Sequence, residues 1–348
     1  MEKHGIVDND LQPADSEMPA SLCAALRRMG LARPGEPLRG KPLDGGVSSD
    51  IWRIDIAGGA LCIKRALPKL KVAADWRVPV ERNAYEAAWI ECVSEVAPES
   101  VPEILGKDAD EGVFVMRYLD PRSFPLWKER LKRGDVNVGF AASVGQVLGR
   151  IHAATAHRPD IEARFRTDAN FFAIRLEPYL VATAGVHPDC AGELGSLVET
   201  TARERHVLVH GDVSPKNILV GGMAPLFLDA ECAWYGDPAF DVAFCLNHLL
   251  LKMLWVPAVG DRLMSAFDAL RAAYFQHVHW EPRDELEART ARLLPGLMLA
   301  RVDGKSPVEY LESATARAVV RAFSRRHLRH PAADLGALAN AWRRAAGP

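Results

Sequence analysis

The chain has 348 residues, 49% of them hydrophobic and 25% charged, which is enough apolar material for two compact cores. Its formal net charge of -2, with both signs mixed along the chain, excludes the basic stripe of a general nucleic-acid binder. The six cysteines are scattered, with no Cys-x-x-Cys pair and no histidines at metal-ligand spacing, so neither a disulfide framework nor a zinc site is expected, and a reducing compartment is.

In chain order, Met1 to Ser16 carries Glu2, Asp8, Asp10 and Asp15 and no apolar core, so neither a secretory nor a mitochondrial signal is expected. Ser21 to Met29 reads as a short helix, and Gly30 to Pro42, rich in Pro and Gly, as irregular. Ile51 to Ile56 and Ala60 to Lys64 are strand-like, and Gly58-Gly59 between them signals a hairpin. From Pro79 to Val96 the residues Ala84, Ala87, Ala88, Ile90 and Val93 share a helical face, with Pro79 suited to a first turn. Gly112 to Tyr118 reads as a buried strand and Asp120-Pro121 as a break. A strand-rich unit with one main helix is expected over residues 1–119.

Beyond the break the apolar period becomes helical, at Val144, Val147, Leu148 and Ile151, at Phe172, Leu176, Tyr179 and Leu180, and at Leu263, Phe267, Leu270 and Tyr274. Pro307 to Leu328 and Ala332 to Arg344 are also helix-compatible. Only Val207–Val209, Ile218–Val220 and Leu226–Leu228 read as strands there. The most apolar stretch, Ala239 to Gly260, is interrupted by Asp241, Asn247, His248 and Lys252, which argues against a membrane span. A soluble cytoplasmic protein without membrane or nucleic-acid partners is the expectation, and a homodimer stays open.

Chemistry concentrates between Leu208 and Glu231. His210, Asp212 and Asn217 lie on a loop between two strands, and Asp229 ends the returning strand of a hairpin after the Gly221-Gly222 turn. The bland alternative is a polar turn with capping or solvated carboxylates. Phosphoryl transfer to a hydroxyl needs chiefly positioning and charge stabilisation, and each part has a candidate here. Asp212 suits a group that accepts the hydroxyl proton, Asn217 and Asp229 offer the hard oxygens that Mg2+ prefers, and His210 braces the loop.

The run His210-Gly-Asp-x-x-x-x-Asn217, a hydrophobic hairpin, Asp229 and then Gly236-Asp237-Pro238-x-x-Asp241 resembles the signature of the aminoglycoside phosphotransferase and choline kinase superfamily. That resemblance implies an α+β, bilobal, protein-kinase-like fold, with a nucleotide-binding lobe over 1–119 and a helical catalytic and substrate-binding lobe over 120–348. It implies ATP and Mg2+ as cofactors and a small-molecule hydroxyl acceptor as partner. Asp241 then anchors the catalytic loop. Gly45, Gly46 and Ser48 correspond to the loop over the ATP phosphates, Lys64 to the phosphate-pairing lysine and Glu86 to its ion-pair partner, with Glu81 and Glu91 as rivals. Cys62 and Lys64 share a face, which favours Lys64 over Arg65. Met116 to Leu119, including Tyr118, corresponds to the hinge under the adenine ring.

A narrower likeness runs from Ile63 and Lys64 through Pro68 and Trp76 into the helix with Glu86 and resembles methylthioribose kinases, departing at Asn217, where those enzymes usually have Ser. It implies a sugar or amino-alcohol acceptor of methylthioribose type. An aminoglycoside phosphotransferase and a nucleotide-binding pseudokinase scaffold are the alternatives. Toward the C-terminus, Ala300 to Pro307 reads as a charged loop that either lines an acceptor pocket or is a surface turn, and Lys216 reads as solvent-facing or as a phosphate contact.

Overall fold

The computed structural model describes residues 16–43, 49–56, 58–67, 79–222 and 224–347. They form two compact units, one made of the chain up to Asn83 with Ile104–Tyr118, the other of Ala84–Glu103 with Leu119 onward. A single cut after 119 was the sequence expectation; residues 84–103 instead pack with the second unit. The reason lies in the helix face: Trp89 is 1% exposed and meets the His210 ring edge-on at 4.7 Å, and the Val96 carbonyl accepts from Arg150 at 2.7 Å.

In the first unit, β1 (Ser16–Glu17), β2 (Arg39–Pro42), β3 (Ser49–Ile56), β4 (Gly59–Ala66), β5 (Ile104–Asp108) and β6 (Val113–Arg117) make one antiparallel sheet of order β1-β2-β3-β4-β6-β5. Gly59, at φ +119, opposes Ile56 across the hairpin, a conformation that glycine adopts without a Cβ clash. Ile54, Leu61, Ile63, Val113 and Val115 share one sheet face and bury Leu22, Ala25 and Leu26 of helix α1 (Ala20–Arg28). Each such aliphatic side chain contributes roughly 1.5–3 kcal/mol, which fixes the register and turns the opposite face, with Cys62 and Lys64, away from that core. Helix α2 (Arg82–Ser94) starts here, where Asn83 donates to the carbonyls of Lys64 at 3.1 Å and Gly112 at 2.8 Å.

Four strands escaped the sequence reading: β1, β2, β5 and, in the second unit, Trp234–Gly236. β2 lies in the stretch expected to be irregular, because Gly40 lets its backbone approach β3 so closely that a Cβ would sit 2.9 Å from the Arg53 carbonyl oxygen. β5 carries an irregular register between Ile104 and Gly106, which breaks the alternation that marks a strand.

The second unit continues with α3 (Trp127–Lys132), α4 (Val138–Thr155), α5 (Pro159–Arg164), α6 (Asp168–Phe171), a π-helical run (Phe172–Val181), α7 (Ala182–Val186) and α8 (Ala191–Arg203). Four short strands follow: β7 (Val207–Val209), β8 (Ile218–Gly221), β9 (Ala224–Phe227) and β10 (Trp234–Gly236), paired β7 with β10 and β8 with β9. Helices α9 (Pro238–Trp255), α10 (Gly260–Phe275), α11 (Arg283–Asp303), α12 (Ala314–Arg329) and α13 (Leu335–Ala346) complete it. α9 is buried on every side from Pro238 to Met253, so it is the core around which the unit is built.

The π-helical run contains Pro178, which has no N–H to donate and so disfavours the tighter α-helical ladder. The expected loop at Ala300 begins later, since α11 extends to Asp303, and the expected helix from Pro307 starts only at Ala314, where the Ser313 side chain caps it by accepting from Ala316 N at 3.3 Å. Among the described residues, no helix is long and apolar enough to cross a membrane.

Candidate active site

β7 and α9 together position the His210–Asp212 turn. Gly211 has φ +80, and a Cβ there would lie 2.6 Å from Cys232 Cβ, so only glycine makes this turn without moving its neighbours. α9 begins with Pro238 after the Asp237 cap, whose carboxylate accepts from Ala239 N at 3.0 Å. That start points Asp241, fully buried, back at the turn. Its Oδ2 accepts from His210 N at 2.7 Å and its Oδ1 from Gly211 N at 2.8 Å. Burial lowers the His210 pKa against the pull of Asp241, Asp212 and Asp229, so the ring is neutral near pH 7. A proton on Nε2 satisfies both contacts: Nε2 donates to Leu228 O at 3.1 Å, and Nδ1 accepts from Asp212 N at 3.1 Å.

Asp212 is 3% exposed, and its two oxygens differ. Oδ2 takes Arg175 Nη2 at 2.8 Å and Lys216 Nζ at 3.1 Å, whereas Oδ1 is buried without a hydrogen-bond partner. Burial pushes the carboxyl pKa up, but Lys216 and Arg175 outweigh it, and the group stays below its ordinary value. Arg175 comes from the π-helical run and also donates to the carbonyls of Gly211 and Ile174. Sequence reasoning did not find it, and nothing near Arg175 in the chain signals it. Lys216 does reach Asp212 while its side chain remains half-exposed.

Asn217 is held with Nδ2 donating to Asp212 O at 3.1 Å, and its carbonyl accepts from Leu228 N at 2.9 Å, which ties β8 to the chain leaving β9. Asp229 follows at φ +68, in the left-handed region that is uncommon for a residue with a Cβ and recurs at functional sites. Carboxylate oxygens of Asp229, Glu231 and Glu86 all lie within 4.8 Å of one another. Three hard oxygen donors at that spacing fit a small divalent cation such as Mg2+. The sequence reading assigned Glu86 to another role and passed over Glu231; its signal was the two-residue step from Asp229.

In the first unit, Lys64 is 3% exposed on β4, between Ile51 of β3 and Phe114 of β6. Met116 sits on β6 opposite Cys62 and Ile104, and Tyr118 just beyond donates its N–H to Ala60 O at 3.1 Å while Arg53 lies over its ring at 4.6 Å. Gly45, Gly46 and Ser48, and the segment Pro68 to Trp76, lie outside the described residues.

Residues 39–286, more than half of the chain, match the profile of the APH phosphotransferase enzyme family. The chain belongs to that family. Among curated phosphotransferase relatives, methylthioribose kinase 2 of Oryza sativa subsp. japonica is 24% identical over 223 residues, covering 56% of this chain and 52% of the relative. The chain thus spans about half the length of the curated relatives that it matches first. Among solved structures, a choline/ethanolamine kinase family protein from Mesorhizobium loti superposes with a TM-score of 0.55 at 18% identity, covering 93% of this chain and 98% of that one. An amicoumacin kinase in complex with AMP-PNP, Ca2+ and Ami gives a TM-score of 0.55 at 14% identity, covering 91% and 98%. The phosphotransferase fold expected from the sequence, mixed sheet and helices of protein-kinase-like type, is therefore the fold of this chain.

Proposed function

We propose that this protein transfers the γ-phosphoryl group of ATP to a hydroxyl of a small polar molecule, with Mg2+ as the metal. The observation that carries the reading is a buried aspartate with one paired and one unpaired oxygen, Asp212, together with the convergent carboxylates of Glu86, Asp229 and Glu231. Membership of a phosphotransferase family supports it. So does the solved kinase that carries AMP-PNP and Ca2+.

In this reading Arg175 and Lys216 hold Asp212 Oδ2 and keep the carboxylate ionised, leaving Oδ1 to orient the acceptor hydroxyl and take its proton as its oxygen attacks the γ-phosphorus and ADP departs. No covalent enzyme intermediate forms. Asp241 and His210 fix the turn that carries Asp212. Glu86, Asp229 and Glu231 hold the metal, with Asn217, whose carbonyl accepts from Leu228 N next to Asp229, as the further oxygen ligand assigned from the sequence. Bound Mg2+ supplies neutralisation of the phosphate charge. Lys64 pairs with the ATP phosphates and the backbone of Met116 to Tyr118 receives the base, while Gly45, Gly46 and Ser48 keep the phosphate-binding role that the family resemblance implies.

The methylthioribose kinases among the relatives favour a sugar-like acceptor. An aminoglycoside is a polycation and would meet Arg175 and Lys216 beside Asp212, which disfavours that acceptor. ADP release over a panel of hydroxyl acceptors tests the reading. The Asp212→Asn protein is expected to lose about 10²–10⁴-fold in kcat with ATP binding retained. Undiminished turnover in that variant sinks it.

A further inference from the structure

From Asp212 a continuous run of cations and aromatic rings extends along buried α9. Arg175, bound to Asp212, lies 5.9 Å over the Phe244 ring and 5.8 Å over that of Tyr179. Tyr179 OH accepts from Arg301 Nη1 at 3.0 Å, and Phe244 meets the His248 ring edge-on at 5.4 Å. His248 Nδ1 lies 3.2 Å from Tyr310 OH, and Lys252 Nζ sits 4.0 Å over the Tyr310 ring and 4.6 Å over that of Trp255. His248, Lys252 and Arg301 are 4%, 1% and 6% exposed.

Beyond Arg175, which Asp212 pairs, the run lacks counter-charge among the described residues. Among the described residues, no carboxylate lies within ion-pair distance of Lys252, and the nearby Glu309 is committed to Lys128. Two buried nitrogens, His248 Nε2 and Arg301 Nε, have no hydrogen-bond partner. Burial, with Lys128 and Arg301 close by, outweighs Glu309 and Glu129 and drops the Lys252 pKa to about 7. A buried cation held only by ring faces and no carboxylate is costly, and so are unpaired buried polar atoms. An anion lying along α9 would relieve all of these at once.

We propose that the acceptor is an acidic alcohol, its hydroxyl at Asp212 and its anionic group held by His248, Lys252 and Arg301. The proposal rests on the phosphotransferase reading and narrows it, because a neutral sugar or a cationic amino alcohol leaves these groups uncompensated.

Binding is read first, by thermal denaturation of the full chain with ADP present to fill the nucleotide site. The probes are matched pairs that differ in charge: glycerate against glycerol, tartrate against threitol, gluconate against sorbitol. At least one acid is expected to bind ten-fold or more tightly than its polyol, with that preference lost in Lys252→Met. Replacing a buried unpaired cation by an apolar side chain of similar length leaves the fold intact, and His248→Gln serves as a second variant. Equal shifts from all acids and polyols, or an acid preference untouched in both variants, overturn the proposal.

ADP release is then measured with the same compounds. A hydroxy-acid KM that rises about thirty-fold or more in Lys252→Met, with kcat held, supports the site. Turnover of a neutral or cationic acceptor with a KM indifferent to Lys252 removes it while leaving the phosphotransferase reading standing. Acid-specific binding without ADP release from any acceptor does the reverse.

Discussion

Asp241 offers the sharpest test of how the candidate site is held together. Its two oxygens receive the backbone N–H groups of His210 at 2.7 Å and Gly211 at 2.8 Å, in a position with no solvent access. In Asp241→Ala both donors lose their acceptor where water cannot replace it. Each orphaned donor costs about 1–3 kcal/mol, so the pair costs roughly 2–6 kcal/mol. Removing a buried carboxylate returns part of its desolvation cost, and a net loss of about 3 kcal/mol is expected. A domain typically has only about 5–15 kcal/mol in hand. The assay is urea unfolding followed by far-ultraviolet circular dichroism, which is dominated by the helical second unit, with the midpoint falling at unchanged slope. Asp241→Asn keeps one acceptor and turns an NH2 toward the other donor, so it should fall between wild type and the alanine variant. An alanine variant within about 1 kcal/mol of wild type would refute the claim that these two bonds hold the turn.

Gly211→Ala introduces both an unfavourable positive φ and a Cβ 2.6 Å from Cys232 Cβ, so a loss of about 2 kcal/mol or more should appear as a lowered melting temperature. Glu231→Gln removes one charged oxygen from the three-carboxylate cluster and is expected to raise the Mg2+ concentration for half-maximal ADP release by about ten-fold, read from a metal titration. Lys252 makes stability depend on pH. With a folded pKa of about 7 against an ordinary value of 10.5, the unfolded chain binds the extra proton between those limits, so stability rises with pH across that window and is flat for this group below it. The full span corresponds to about 5 kcal/mol, and Lys252→Met should flatten the slope measured by urea unfolding from pH 7 to pH 10.

The sequence by itself determined the family and the fold class, because the residues that carry them are close in the chain. His210, Gly211, Asp212, Asn217, Asp229 and Asp241 fall within one strand–loop–hairpin–helix segment, where spacing and turn chemistry are legible. The hairpin of β3 and β4 was legible for the same reason: alternation and Gly58-Gly59 are local signals. Tertiary structure alone decided what meets those residues from a distance. Arg175 reaches Asp212 from a π-helical run that Pro178 favours, Glu86 comes to Asp229 and Glu231 from far upstream, and Arg301 comes to Tyr179 from the end of α11. The boundary of the second unit was hidden too, since it depends on which face of α2 is buried against His210 and Phe227. Periodicity marks a face as apolar and does not say what covers it; that choice is made by packing, when the whole chain competes to bury its surface.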